Sequence, residues 1–254
     1  MTPLHPEFLR RPVAHRARHG AGRPENSRAA VRAAVEAGYA IEIDLQRAAD
    51  GVAMVFHDHA LDRLTEATGP LGTQSADALG RIPLSGGDGE GIPRFSEVLE
   101  IVGGRVPLLV EIKDQDGAMG PDVGALEEAA ARDLADYAGP VAVMSFNPHS
   151  VAAMAALAPE VPRGLTTAAF DAGYWGHLPA MTRAHLREIP DFERTGAAFV
   201  SHQANDLDRP RVAELKARGV PVLCWTIRSE ADERAARRLA DNVTFEGYAA
   251  ALPA

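Results

Sequence analysis

Two short stretches set carboxylates among apolar residues at a spacing that could do chemistry. From Ala40 to Arg47, Ile41, Ile43 and Leu45 alternate with Glu42, Asp44 and Gln46. Side chains alternate faces along a strand, so one face is apolar and the other carries two acids. From Val106 to Lys113, Val110 and Ile112 alternate in the same way with Glu111 and Lys113. Burying unpaired charge costs several kcal/mol per ion. Lys113 can neutralise one of Glu42, Asp44 and Glu111 but not all three. The plain alternative is a structural ion-pair network. A divalent cation resolves the excess charge, and an all-oxygen donor set favours Mg²⁺ or Ca²⁺ over zinc.

Asp50-Gly51 is a strong hairpin signal. If these two residues are the turn, Ala49 faces Val52 and, counting outward, Asp44 faces His57. His57 and His15 each end an expected strand, where an imidazole can exchange protons near neutral pH. They are the candidate acid and base. The remaining histidines, His19 among them, lie in or beside loops or in the N-terminal tail, and their ordinary reading is a satisfied polar side chain. Arg16 and Lys113 supply a guanidinium fork and an ammonium suited to phosphate oxygens. In Pro24-Glu25-Asn26-Ser27, Asn26 or Ser27 can cap the following helix, and Glu25 can hold the loop that carries Arg16. Trp225 is either a core aromatic or a stacking surface for substrate. Tyr174 and Trp175 are either a lid or loop packing. A hard cation, two phosphate-binding cations and two histidines together describe phosphodiester cleavage.

The elements that must position these groups alternate along the chain. Setting aside the return strand of the hairpin, the patterns give eight strands interleaved with helices, which predicts a parallel sheet closed into a (β/α)₈ TIM-type barrel over 12–254. The helix-facing side of each barrel strand must be apolar, so the charged faces point inward. Residues 60–93 carry no clear period and many glycines, and read as an insertion with short helices only. Residues 1–11 read as an N-terminal tether. A helix is expected around His177 to Arg187. No Gly-rich dinucleotide fingerprint or P-loop follows a strand, which disfavours a doubly wound fold.

The 254 residues are 46% hydrophobic and 24% charged, ordinary for one soluble domain. The formal net charge of -9 disfavours nucleic acid or an anionic membrane as a bulk partner. The single cysteine, Cys224, sits in an apolar run and reads as a buried thiol. No stretch is long and apolar enough for a membrane span, and the N-terminus lacks the apolar core of a signal peptide. A cytoplasmic enzyme is the expectation, with its oligomeric state open.

The run His15-Arg16, Pro24-Glu25-Asn26-Ser27, Ile41-Glu42-Ile43-Asp44, Asp50-Gly51, His57-Asp58 and Glu111-Ile112-Lys113 closely resembles the glycerophosphodiester phosphodiesterase family, as does Trp225-Thr226 further on. The resemblance implies a TIM-type barrel with a small insertion after the His57-Asp58 strand. It also implies a divalent metal on residues like Glu42, Asp44 and Glu111, acid and base roles for His15 and His57, and phosphate contacts from Arg16 and Lys113. By the same resemblance, the substrate's neighbouring hydroxyl attacks phosphorus. A cyclic phosphate forms, and water opens it to glycerol 3-phosphate. Three features depart from the pattern: Ala17 replaces the usual glycine, Ser27 the commoner threonine, and near the C-terminus the chain reads Val243-Thr-Phe-Glu246-Gly-Tyr where the family often has a Thr-Asp pair. The competing readings are a barrel phospholipase of the sphingomyelinase D or phosphatidylinositol type, and a non-catalytic phosphoester-binding barrel.

Overall fold

The inward charged faces belong to a closed barrel in the computed structural model of the chain, which describes residues 2–253. Met1 of the expected tether and Ala254 at the end of the expected domain lie outside the described residues. The first elements are α1 (Glu7–Arg10), β1 (Val13–Ala14), α2 (Arg28–Ala37), β2 (Ala40–Arg47), β3 (Ala53–Val55), α3 (Ala76–Leu79) and α4 (Phe95–Val102). There follow β4 (Leu108–Ile112), α5 (Ala125–Leu134), β5 (Val141–Ser145), α6 (Pro148–Leu157), β6 (Arg163–Thr167), α7 (Ala172–Trp175) and α8 (Ala180–Arg187). The chain finishes with β7 (Phe199–Gln203), α9 (Pro210–Ala217), β8 (Val222–Ile227), α10 (Glu230–Ala236) and β9 (Asn242–Phe245). All strands but β3 pair in parallel, and β1 bonds to both β2 and β9. That closes a (β/α)₈ TIM-type barrel, the architecture expected from the alternation.

Local chemistry explains the boundaries that shape the site. Ser27 caps α2 by accepting from the Ala30 N–H at 3.0 Å, and Gly38 ends it in the left-handed region at φ 78°. The helix presents Ala30, Val31 and Ala34 to the outer core, which also holds Ile41 and Ile43 of β2 and Val110 and Ile112 of β4. Only β1 is short. Arg16 and Ala17 take φ of 51° and 65°, which ends the strand before His15. Cys224 is buried in this same outer core, and burial pushes its thiol up to about 12. No helix among the described residues is long and apolar enough to cross a membrane.

Two expectations are corrected. The stretch taken as a tether contains α1, whose Phe8 is fully buried in the barrel interior with Leu109, Ala142, Phe199 and Leu223. The ring fills the barrel end opposite the strand C-termini and anchors these residues there. The hairpin register is also shifted by one residue. Leu45 pairs with Val55, and the Phe56 N–H donates to the Asp44 carbonyl at 3.0 Å. Ala48 and Val52 close a loop of Ala49, Asp50 and Gly51, with Gly51 at φ 80°. A three-residue loop with a left-handed glycine displaces the two-residue register. Asp44 therefore lies opposite Phe56, and His57 reaches the site from beyond the end of β3.

Residues 60–93 hold one short 3₁₀ turn (Leu71–Thr73) and α3, and pack Leu61, Leu71, Leu79, Leu84 and Ile92 around Met54 and Phe56. Further on, α8 begins three residues after the expected His177, behind Pro179. Trp175 packs against Phe146 and Phe170, whereas Tyr174 stands 73% exposed at the cavity rim.

Candidate active site

A cavity of about 1300 Å³ opens at the C-terminal end of the strands, the face where barrels of this kind place their chemistry. His15, Arg16, Glu42, Asp44, His57, Asp58, Glu111, Lys113 and Trp225 all line it. Glu25 and Asn26 stand behind this layer. Asn26 turns through φ 59°, and its Nδ2 donates to Asp44 Oδ2 at 2.9 Å while its own N–H holds the Arg16 carbonyl. Glu25 accepts from Arg16 Nη1 at 2.7 Å. The residues offered as acid, base, metal ligands, phosphate contacts and their supports thus come to one place.

The carboxylate oxygens of Glu42, Asp44 and Glu111 lie within 4.8 Å of one another, and all three residues are buried. Lys113 Nζ bonds Glu111 and, at 2.7 Å, Asp44. Burial pushes the Asp44 carboxyl up, but the charges of Lys113, His57 and Arg16 outweigh it and hold the group far below the usual carboxylate range. The same pairing raises Lys113 despite its burial. Glu42 is served differently. Among the described residues, its Oε2 accepts only from the Arg16 backbone N–H, at 2.8 Å. Burial, together with the charges of Asp44 and Glu111, pushes its carboxyl well up. Three acids therefore exceed the positive charge held against them, and an all-oxygen set with surplus negative charge fits a hard divalent cation. Arg16 Nε is buried, lies 3.6 Å from Asp44 Oδ2, and has no hydrogen-bond partner among the described residues.

Each imidazole is oriented by a carboxylate. His57 Nδ1 lies 2.6 Å from Asp58 Oδ1, and His15 Nδ1 lies 2.6 Å from Glu246 Oε2. Burial holds His15 below its ordinary value even with this hydrogen bond, which favours the neutral ring. A neutral ring donating from Nδ1 keeps the lone pair on Nε2. The Asp58 carboxyl is raised by burial but lowered more by its hydrogen bonds from His57 and Arg63, and ends below the usual range. Glu246 is likewise held low, first by its hydrogen bond from His15 and also by the charge of Arg228.

Sequence reasoning missed several of these partners. Glu246 was visible only as a departure from a familiar pair. Arg63, in the insertion, clamps Asp58 and Glu25 together at 2.6–3.0 Å, with no local pattern to mark it. Asp114 follows Lys113 directly, lines the cavity, and accepts from Asn147 Nδ2 at 2.7 Å and from the Met119 N–H at 3.0 Å. Its position next to an acid-bearing strand was the only available signal. Across the cavity, Trp225 donates from Nε1 to the Ser201 carbonyl at 3.0 Å and meets Phe146 edge-on at 5.4 Å. One wall is thus charged and the other aromatic.

Comparison with known proteins agrees with this geometry. The model of the glycerophosphoryl diester phosphodiesterase family matches residues 15–244. A glycerophosphodiester phosphodiesterase of Bacillus subtilis is 27% identical over 209 residues, covering 76% of this chain and 68% of its own. One from Caldanaerobacter subterraneus subsp. tengcongensis is 31% identical over 151 residues, 56% of this chain and 60% of its own. Among solved structures, an Oleispira antarctica phosphodiesterase in complex with the product sn-glycerol-3-phosphate superposes with a TM-score of 0.77 at 25% identity, covering 94% of this chain and 93% of its own. With a family match spanning nearly the whole barrel, the chain is an enzyme of the glycerophosphoryl diester phosphodiesterase family.

Proposed function

We propose that the chain hydrolyses glycerophosphodiesters to glycerol 3-phosphate and an alcohol, with Mg²⁺ or Ca²⁺ held by Glu42, Asp44 and Glu111. The observation that carries this reading is the pair of carboxylate-backed imidazoles beside three clustered acids and two cations in one cavity. The product bound to the Oleispira relative supports glycerol 3-phosphate as the retained half. A cytoplasmic setting accords with the one free, buried cysteine.

The divalent cation would neutralise phosphate charge and bring the reacting oxygens together. Arg16 and Lys113 bind the remaining phosphate oxygens, and the unpartnered Arg16 Nε supplies a donor for this. One imidazole accepts the proton of the substrate's neighbouring hydroxyl through Nε2. That oxygen bonds to phosphorus, and the bond to the leaving alcohol breaks. The other histidine, protonated, gives its proton to the departing oxygen. Water then opens the cyclic phosphate with the two roles exchanged. Asp58 and Glu246 hold the rings so that each alternates between neutral and charged forms. Trp225 and the aromatic wall exclude water from one side of the substrate.

The test is a substrate panel with Mg²⁺ and Ca²⁺ compared side by side, glycerophosphocholine against lysophospholipid, with the phosphate product identified. Glycerol 3-phosphate from the glycerophosphodiester is expected. Release of a cyclic product alone, or preference for the lysolipid, would overturn the reading.

A further inference from the structure

The cavity's carboxylate cluster is not the only set of donors able to hold a cation. His15 Nδ1, His19 Nε2 and Glu246 Oε2 also lie within 4.8 Å of one another. Glu246 Oε2 stands 2.6 Å from His15 Nδ1 and 3.5 Å from His19 Nε2. The longer separation is outside the usual hydrogen-bond range, and His19 Nε2 is buried with no hydrogen-bond partner among the described residues. In a tetrahedral site with bonds of about 2.0–2.1 Å, neighbouring ligand atoms sit about 3.4 Å apart. His19 is already at that distance, and His15 needs to withdraw by under about 1 Å. The other oxygen of Glu246 is engaged at 2.7 Å by Arg228, whose side chain is largely exposed. Oε2 is therefore left facing the two rings.

We propose that His15, His19 and Glu246 form a second metal site, specific for a borderline transition cation such as Zn²⁺, and that its occupation switches the enzyme off. The donor sets separate the two cations. Imidazole nitrogens suit zinc, cobalt and nickel, whereas the all-oxygen cluster suits magnesium and calcium. A cation at this site selects the other tautomer of His15: the proton that Nδ1 donates to Glu246 moves to Nε2, and the Nδ1 lone pair so freed goes to the metal. That ring can donate a hydrogen bond but can no longer accept a proton, so it cannot alternate between base and acid. The inhibitory half of this inference rests on the proposed function, and the binding half does not.

Cobalt titration in saturating Mg²⁺ or Ca²⁺, read by visible absorption, tests the site independently of turnover. Wild type and Glu42→Ala are expected to develop the bands of tetrahedral Co²⁺. His19→Ala should require at least about tenfold more Co²⁺, since losing a ligand costs no less than losing a ligand's supporting group. Bands that persist unchanged in His19→Ala, or vanish in Glu42→Ala, would place the ion on the carboxylate cluster and overturn the site. In turnover, half-inhibition by Zn²⁺ should also move at least about tenfold upward in His19→Ala, with basal rate unchanged. Equal inhibition of both proteins would overturn the switch. A wild type that turns over no glycerophosphodiester would sink the proposed function, while the cobalt result would still decide the site.

Discussion

Glu246 meets His15 at 2.6 Å across 231 residues of sequence. β9 and β1 are the two strands whose pairing closes the barrel, so the carboxylate and the imidazole meet only because the barrel closes. The Asp58–His57 pair repeats the contact between adjacent residues. Each ring has its tautomer set by an acid, one chosen by local sequence and the other by the fold.

Removing the distant acid should slow catalysis without removing the ring. Glu246→Gln is expected to lower kcat by roughly 10–100-fold with little change in KM, less than the roughly 10²–10⁴-fold loss expected for His15→Ala or His57→Ala. Steady-state kinetics on the three variants checks the order. A Glu246→Gln enzyme with wild-type kcat would show that His15 needs no orienting partner.

Asp58 should leave a mark on stability as a function of pH. Its carboxyl is held below its ordinary value of 3.8, burial opposing and the His57 and Arg63 hydrogen bonds prevailing. The unfolded chain binds more protons than the folded one between the two values, so stability rises with pH there. The contribution is complete above pH 3.8 and is lost as pH falls below it. Asp58→Asn should therefore cost about 1–3 kcal/mol at neutral pH, and the difference from wild type should shrink below pH 3.8. Chemical denaturation at the two pH values measures this. A difference that grows in acid would contradict it.

The guanidinium fork of Arg63 ties the insertion to the site through both Asp58 and Glu25. Arg63→Ala should reduce kcat by about 10-fold. Arg63→Lys should not restore it, because an ammonium cannot reproduce two parallel bonds to two acids. Full rescue by lysine would reduce the clamp to a simple charge effect.

What was legible in the sequence depended on range. Glu42, Asp44, Glu111 and Lys113 could be placed inside a barrel because strand alternation is a local property, and apolar partners such as Ile43 and Val110 had to face the helices. Ser27 and Gly38 announced the ends of α2 for the same reason. Asp50-Gly51 announced a hairpin, but its register turned on whether the loop holds two residues or three. The backbone at Gly51 decided for three. Glu246 and Arg63 gained their roles from closure of the barrel and docking of the insertion, which no short window reports. Phe8 was read as part of a tail because nothing near it in sequence reveals the open barrel end it fills.

That filling is measurable. Phe8 is fully buried among interior side chains, so Phe8→Ala should destabilise the chain by about 3–5 kcal/mol in equilibrium unfolding, without altering the site. A change near zero would restore the tether.

Glu42, the buried acid with the weakest positive partner, is expected to work through a bound divalent cation. Metal content and glycerophosphocholine turnover of Glu42→Ala, measured on the same preparation as wild type, test it most directly. The variant is expected to lose both the stoichiometric Mg²⁺ or Ca²⁺ and the activity while remaining folded. Wild-type turnover in Glu42→Ala would contradict it.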